Sequence, residues 1–144
     1  MRNFIKCLAA LSLLIQPLTT IAHSKPAIFP KPTPVMIGGD SDQDACGGVL
    51  EVAHLNPRGD NFLTVRASPS ATAREIDRLK PGFAVWGCDE SADHQWIGIV
   101  YIGKKLNGDG LDCGVGTPVK QRRPYQGPCT KGWVSARFLE LIAG

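Results

Sequence analysis

Leu63-Thr-Val-Arg-Ala-Ser-Pro69, answered near the other end of the chain by Gly132-Trp-Val-Ser-Ala-Arg-Phe-Leu139, decides how the 144 residues are read. Leu63 and Val65 alternate with Thr64 and Arg66, which is the period of a strand with one buried face, and Ser68-Pro69 ends the run. After Pro81-Gly82 the alternation resumes through Val85, and it returns in Trp96-Ile-Gly-Ile99. Short period-two runs separated by Ser-Pro and Pro-Gly punctuation predict an all-β chain wound into a small barrel.

The order of these pieces carries a resemblance. A strand, a Ser-Pro turn, Glu75-Ile-Asp-Arg-Leu-Lys-Pro-Gly82, Val85, Trp96-Ile-Gly-Ile99 and a closing Gly-Trp-Val-Ser resemble the bacterial SH3-like (SH3b) family over roughly residues 61–141. The resemblance implies a small SH3-like barrel with a strand at 75–79, although residues 72–79 would also suit a short helix. It also implies one helical turn at Ser135-Ala-Arg-Phe138 before a last short strand. Two features depart from the family pattern. Residues 47–54, apolar on both faces, predict an extra N-terminal strand, and residues 103–130 form a long inserted loop where the family has a tight hairpin turn. Long loops in compact domains are usually functional or disordered, and two cysteines in this one argue for order.

Upstream of the barrel, residues 1–22 read as a secretory signal: Arg2 and Lys6, an apolar run from Cys7 to Ile15, then small residues ending at Ala22. The run stops at Gln16-Pro17, well short of the roughly 20 apolar residues a membrane span needs. Residues 23–45, with Pro26, Pro30, Pro32 and Pro34, predict an extended, stiff linker, and residues 46–144 the SH3b-like domain. Loss of Arg2 and Lys6 lowers the formal charge from +3 to +1, so no polyanion footprint remains and nucleic acid is not an expected partner. Export and an even set of Cys46, Cys88, Cys113 and Cys129 together favour two disulfides. Three pairings are possible. The expected one joins Cys113 to Cys129 within the insertion and Cys46 to Cys88 between N-terminal extension and barrel. Zinc is disfavoured because the chain has no CxxC or CxxH pair.

The hairpin through Asp89-Glu-Ser-Ala-Asp-His-Gln95 permits a register prediction. Centred on Ala92, it sets Val85 opposite Ile99 and Trp86 opposite Gly98, with Val85, Gly87, Ile97 and Ile99 inward and Ala84, Trp86, Gly98 and Val100 outward. Trp86 across a cross-strand glycine would compensate for the absent side chain. An outward patch of this kind needs a cover, supplied by the extra strand, the insertion or a partner. Ile76 and Leu79 are expected in the core.

Catalytic chemistry has few candidates. His94 with Asp93 and Ser91 has the residue types of a triad but sits in one polar turn, where no water-excluded site can form. Asn107-Gly-Asp-Gly-Leu-Asp112 lacks the third acidic position and the bidentate Glu of a calcium loop. Gly114-Val-Gly116 follows no strand leading into a helix, and Arg58-Gly59-Asp60 is good turn composition. No catalytic residue, metal ligand or cofactor is therefore nominated.

What the resemblance implies instead is a binding module that recognises short cell-wall peptides or an envelope protein. The contact candidates are Trp96, Tyr125, Arg122 and Arg123, with Trp86 as an outer docking residue, because aromatics and arginines supply most binding energy at small interfaces. The alternatives are an accessory subunit of an envelope or secretion assembly and a small secreted inhibitor. A monomer is expected outside such a complex.

Overall fold

The computed structural model describes residues 28–103 and 110–144. The signal sequence, Lys104, Lys105 and half of the calcium-like stretch, residues 107–109, lie outside the described residues. In chain order the strands are β1 (Met36–Ile37), β2 (Asp40–Asp44), β3 (Gly48–Val52), β4 (Leu63–Arg66), β5 (Glu75–Leu79), β6 (Ala84–Glu90) and β7 (Trp96–Tyr101). They continue with β8 (Pro118–Val119), β9 (Arg123–Pro124), β10 (Thr130–Ser135) and β11 (Leu139–Ala143), and a single 3-10 turn, Ala136–Phe138, precedes β11. The chain is all-β. Seven strands form one antiparallel sheet in the order β11-β3-β6-β7-β10-β4-β5, while β1 pairs with β9 and β2 with β8 as separate ribbons. The large sheet's ladder does not close, because β5 and β11 remain its edges.

One face of that sheet encloses an inner core of Val52, Leu63, Val65, Leu79, Val85, Ile99, Tyr101 and Val134. Six strands contribute, so the sheet must curl for all of these side chains to meet. Strand alternation places them: Leu63 and Val65 are buried while Thr64 and Arg66 are half-buried. The Tyr101 hydroxyl donates to the Asp77 carboxylate at 3.2 Å, and its ring meets Phe83 edge-on. Burial, reinforced by the Asp77 charge, pushes the Tyr101 phenol well above its usual range.

Residues 75–79 form a strand, with Leu79 buried. Ile76 departs from expectation: it is exposed, because the β4–β5 register slips there, pairing Val65 with Asp77 and Arg66 with Glu75. The extra residue of such a bulge leaves the alternation of its neighbours.

The β6–β7 hairpin corrects a second expectation. The inward and outward faces are as read from the sequence, with Val85 and Ile99 in the inner core and Trp86 and Val100 on the other side. The register differs by two: Trp86 pairs with Val100 and Gly87 with Ile99, and then Asp89 pairs with Gly98. Cys88 is the bulged residue. The indole over Gly98 is consequently that of Trp133, its register partner on β10, rather than Trp86. Buried Trp133 also donates its Nε1–H to the Thr33 carbonyl at 2.9 Å, which fastens the N-terminal segment across the sheet.

An outer core covers the opposite face. It consists of Ile37, Ala45, Cys46, Val100, Cys113, Val115, Tyr125 and Cys129, with Trp86, Cys88 and Val119 packed against it. The disulfides are Cys46–Cys88 and Cys113–Cys129, the pairing expected, and all four sulfurs belong to this layer. The cover comes from the insertion and from the proline-rich segment. That segment is extended as expected, but from Thr33 onward it is part of the packed body rather than a spacer. Its prolines have no N–H to satisfy, and the residues beside them make the bonds: Thr33 N–H to the Ala67 carbonyl at 2.9 Å, and the Val35 carbonyl accepting from Tyr125 N–H at 2.9 Å.

Candidate binding groove

The β6 bulge determines what lies between the two cores. Without it, Asp89 would share the inward parity of Val85 and Gly87 and bring a charge into the inner core. The extra residue at Cys88 turns Asp89 to the outer face, where its side chain is 5% exposed. A carboxylate this enclosed needs its lone pairs filled. Oδ2 accepts the Met36 N–H at 2.9 Å, and Oδ1 accepts the Glu90 N–H at 2.9 Å together with an Nη2–H of Arg122. Asp89 thereby ties together three segments: the N-terminal extension, the hairpin and the insertion.

Beside this anchor opens a groove of about 460 Å³. Its apolar wall is Leu50 of β3, Ile97 of β7 and Leu141 of β11, and its rim carries Cys88, Glu90 and Arg122. Two glycines keep it open for different reasons. A Cβ at Gly87 would come within 2.7 Å of Leu50 Cδ1, so a side chain there would displace the Leu50 side chain from the groove wall. At Gly47 a side chain would meet nothing within 4 Å and would stand in open space.

The nominated contact residues do not converge on this groove. Arg122 lines it. Arg123 lies in β9 opposite Ile37 and is exposed, whereas Trp86 is half-buried in the outer core. Trp96 is half-buried beside a separate depression with Phe62, Arg66 and Phe138. Tyr125 corrects its expected role: it is 1% exposed, donates its hydroxyl to the Cys113 carbonyl at 2.9 Å and accepts the Cys129 N–H at 3.1 Å. It is therefore the internal strut of the Cys113–Cys129 loop, and burial raises its phenol above the usual range. Sequence reasoning missed Asp89, Leu50, Ile97 and Leu141. The only sequence signal for them was glycine at 47, 48 and 87 beside the two half-cystines Cys46 and Cys88.

The Ser91, Asp93 and His94 turn is not a catalytic arrangement. Asp93 accepts from the Ser91 hydroxyl and from the Gln95 N–H, two bonds that hold its carboxyl below the usual range, and His94 instead meets Glu90 at 2.9 Å. His94 takes a left-handed φ of 57° to complete the turn. Among the described residues no group of three or more His, Cys, Asp or Glu side chains is placed to hold a metal ion. No helix among them is long and apolar enough to cross a membrane.

Comparison with known proteins returned no matching family model, no matching curated protein and no matching solved structure.

Proposed function

We propose that the chain is an exported, non-enzymatic binding module that holds a short cell-wall peptide in the groove between Leu50, Ile97, Leu141 and Arg122. The carrying observation is the composition of that groove: an apolar wall beside one guanidinium fixed from behind by a buried carboxylate. Such a site fixes orientation with few polar groups and takes affinity from apolar contact. Export is supported by the signal-like leader and by two disulfides, which persist in oxidising compartments.

A second reading, an accessory subunit docked on an envelope protein, is favoured by one observation. Edge strand β11 exposes Leu141 at 63% and Ile142 at 52%, and an unpaired edge can accept another chain's strand.

Co-sedimentation of the mature protein with purified cell-wall sacculi tests the proposal. Binding is expected for the native sequence and loss of binding for Gly47→Phe, whose ring occupies the groove without an internal clash at its Cβ. No sedimentation of the native protein, with capture of a single envelope protein through β11, would replace the first reading by the second.

A further inference from the structure

Arg122 is held in a way that charge neutralisation alone does not require. Its side chain is 55% exposed while that of its partner Asp89 is 5% exposed. Only one of its nitrogens, Nη2, is engaged by Asp89, and no other partner for the guanidinium occurs among the described residues. Asp89 has both oxygens committed to Met36, Glu90 and Arg122, so its position is fixed by main-chain donors from two segments. A planar guanidinium anchored through one nitrogen presents the rest of its fork in a preset direction. Here it belongs to the rim of the groove.

We propose that Arg122 captures the terminal carboxylate of the bound peptide, with Asp89 as its positioning residue and the last side chain of the peptide resting on Leu50, Ile97 and Leu141. The inference rests on the reading of this groove as the peptide site. Charge complementarity and shape both point to a peptide terminus. A carboxylate matches the free edge of the fork with two parallel bonds. The apolar wall adjoins it, so the residue bearing that carboxylate has an aliphatic surface to cover. Gly47 leaves the neighbouring main chain bare, since a Cβ there would meet nothing within 4 Å, and this lets the ligand backbone approach closely. Glu90 sets a limit on the ligand. It lies one residue beyond Asp89, on the opposite strand face, and its carboxylate is engaged by His94 at 2.9 Å on the groove rim. A second carboxylate close to the first would meet this charge, so the preferred ligand is a peptide with one terminal carboxylate and an apolar final residue.

The test uses the mature oxidised protein and two synthetic probes, N-acetyl-Ala-Ala-Leu with a free carboxylate and the same tripeptide as its C-terminal amide. Binding is followed by the backbone amide resonances of Gly47, Gly48 and Gly87. The acid should shift these resonances and bind at least about tenfold more tightly than the amide, the scale of one lost charge-assisted contact. Arg122→Lys keeps a positive charge for Asp89 and so preserves the fold, but removes the fork. It should reduce the preference for acid over amide to what a point charge provides, while leaving the melting temperature nearly unchanged. Equal affinity for acid and amide, an unchanged preference in Arg122→Lys, or no response at the three glycines to millimolar acid would overturn the inference. Sacculus binding separates the two levels of the argument. Arg122→Lys that still sediments like the native protein refutes carboxylate capture but leaves the wall-binding reading intact. Acid selectivity in a native protein that ignores sacculi refutes wall binding alone.

Discussion

The inner core draws its side chains from six strands of one sheet and contains no sulfur, whereas the outer core gathers residues 35–46 and 111–129 against the back of that sheet and contains all four half-cystines of the described chain. The inner layer follows from strand alternation, so each strand that joins the ladder delivers its apolar residues to the same place. The outer layer has only short ribbons and turns, with β1, β8 and β9 of two residues each and β2 of five, and its contributors are far apart in sequence. Loops cannot hold such positions by ladder bonds alone, and covalent closure supplies what the ladder lacks. The two layers serve different ends: the sheet makes a stable wall and its β6 bulge presents Asp89, while the stapled cover brings Arg122 to that carboxylate on the lip of the groove.

Removing the staples should have the largest effect. Cys46–Cys88 closes a sequence separation of 42 and Cys113–Cys129 one of 16. Loop-closure entropy then gives about 4 kcal/mol for the first and about 3 kcal/mol for the second. Denaturant unfolding of the two double Cys→Ala variants measures the difference. A larger loss from removing Cys113–Cys129 would mean that the cover is organised around its own loop instead of around the sheet.

Next is Trp86→Ala. The ring is half-buried among outer-core side chains, and its loss should cost about 2 kcal/mol, below the range for a fully buried tryptophan. An unchanged unfolding midpoint would show that the cover does not press on β6.

The tyrosines sharpen the comparison at smaller cost, since the chain has only two and each core has one. Both phenols are raised, chiefly by burial. A raised folded-state value favours folding fully below the unfolded value, about 10, and that stability is lost as pH rises through the folded value. Phenolate absorbance should therefore rise at higher pH in the folded protein than in the unfolded one. Tyr101→Phe and Tyr125→Phe should each cost about 1 kcal/mol at neutral pH through lost hydrogen bonds and should flatten the alkaline decline. A phenolate step near pH 10 in the folded protein would show that one of the two layers is open.

Much of the inner layer was legible in the sequence. Leu63 and Val65 alternate, Pro81-Gly82 turns the chain, and the single helical turn at Ala136–Phe138 falls inside the expected Ser135–Phe138. The disulfide pairing was legible too, because one pair lies within the insertion and the other joins the N-terminal extension to the strands that follow. What escaped were single-residue events. A bulge changes composition at no position, so nothing in Gly87-Cys88-Asp89 marks Cys88 as the extra residue, yet that residue shifts the hairpin register and turns Asp89 to the groove. Ile76 escaped for the same reason. Tyr125 was read as a contact because aromatics near arginines often bind ligands, and nothing local in the sequence reveals that its hydroxyl bridges Cys113 and Cys129. The role of the proline-rich segment was hidden as well, since its partners Ala67, Asp89 and Trp133 are dozens of residues away.

Amide hydrogen exchange, read at single residues before and after disulfide reduction, tests the two-layer account most directly. In the oxidised protein the amides of Met36, Tyr125 and Cys129 should be protected, as should those of Ile99 and Tyr101; on reduction the first group should lose protection while the second keeps it. Rapid exchange at Met36, Tyr125 and Cys129 in the oxidised protein, or loss of both groups together on reduction, would contradict the account.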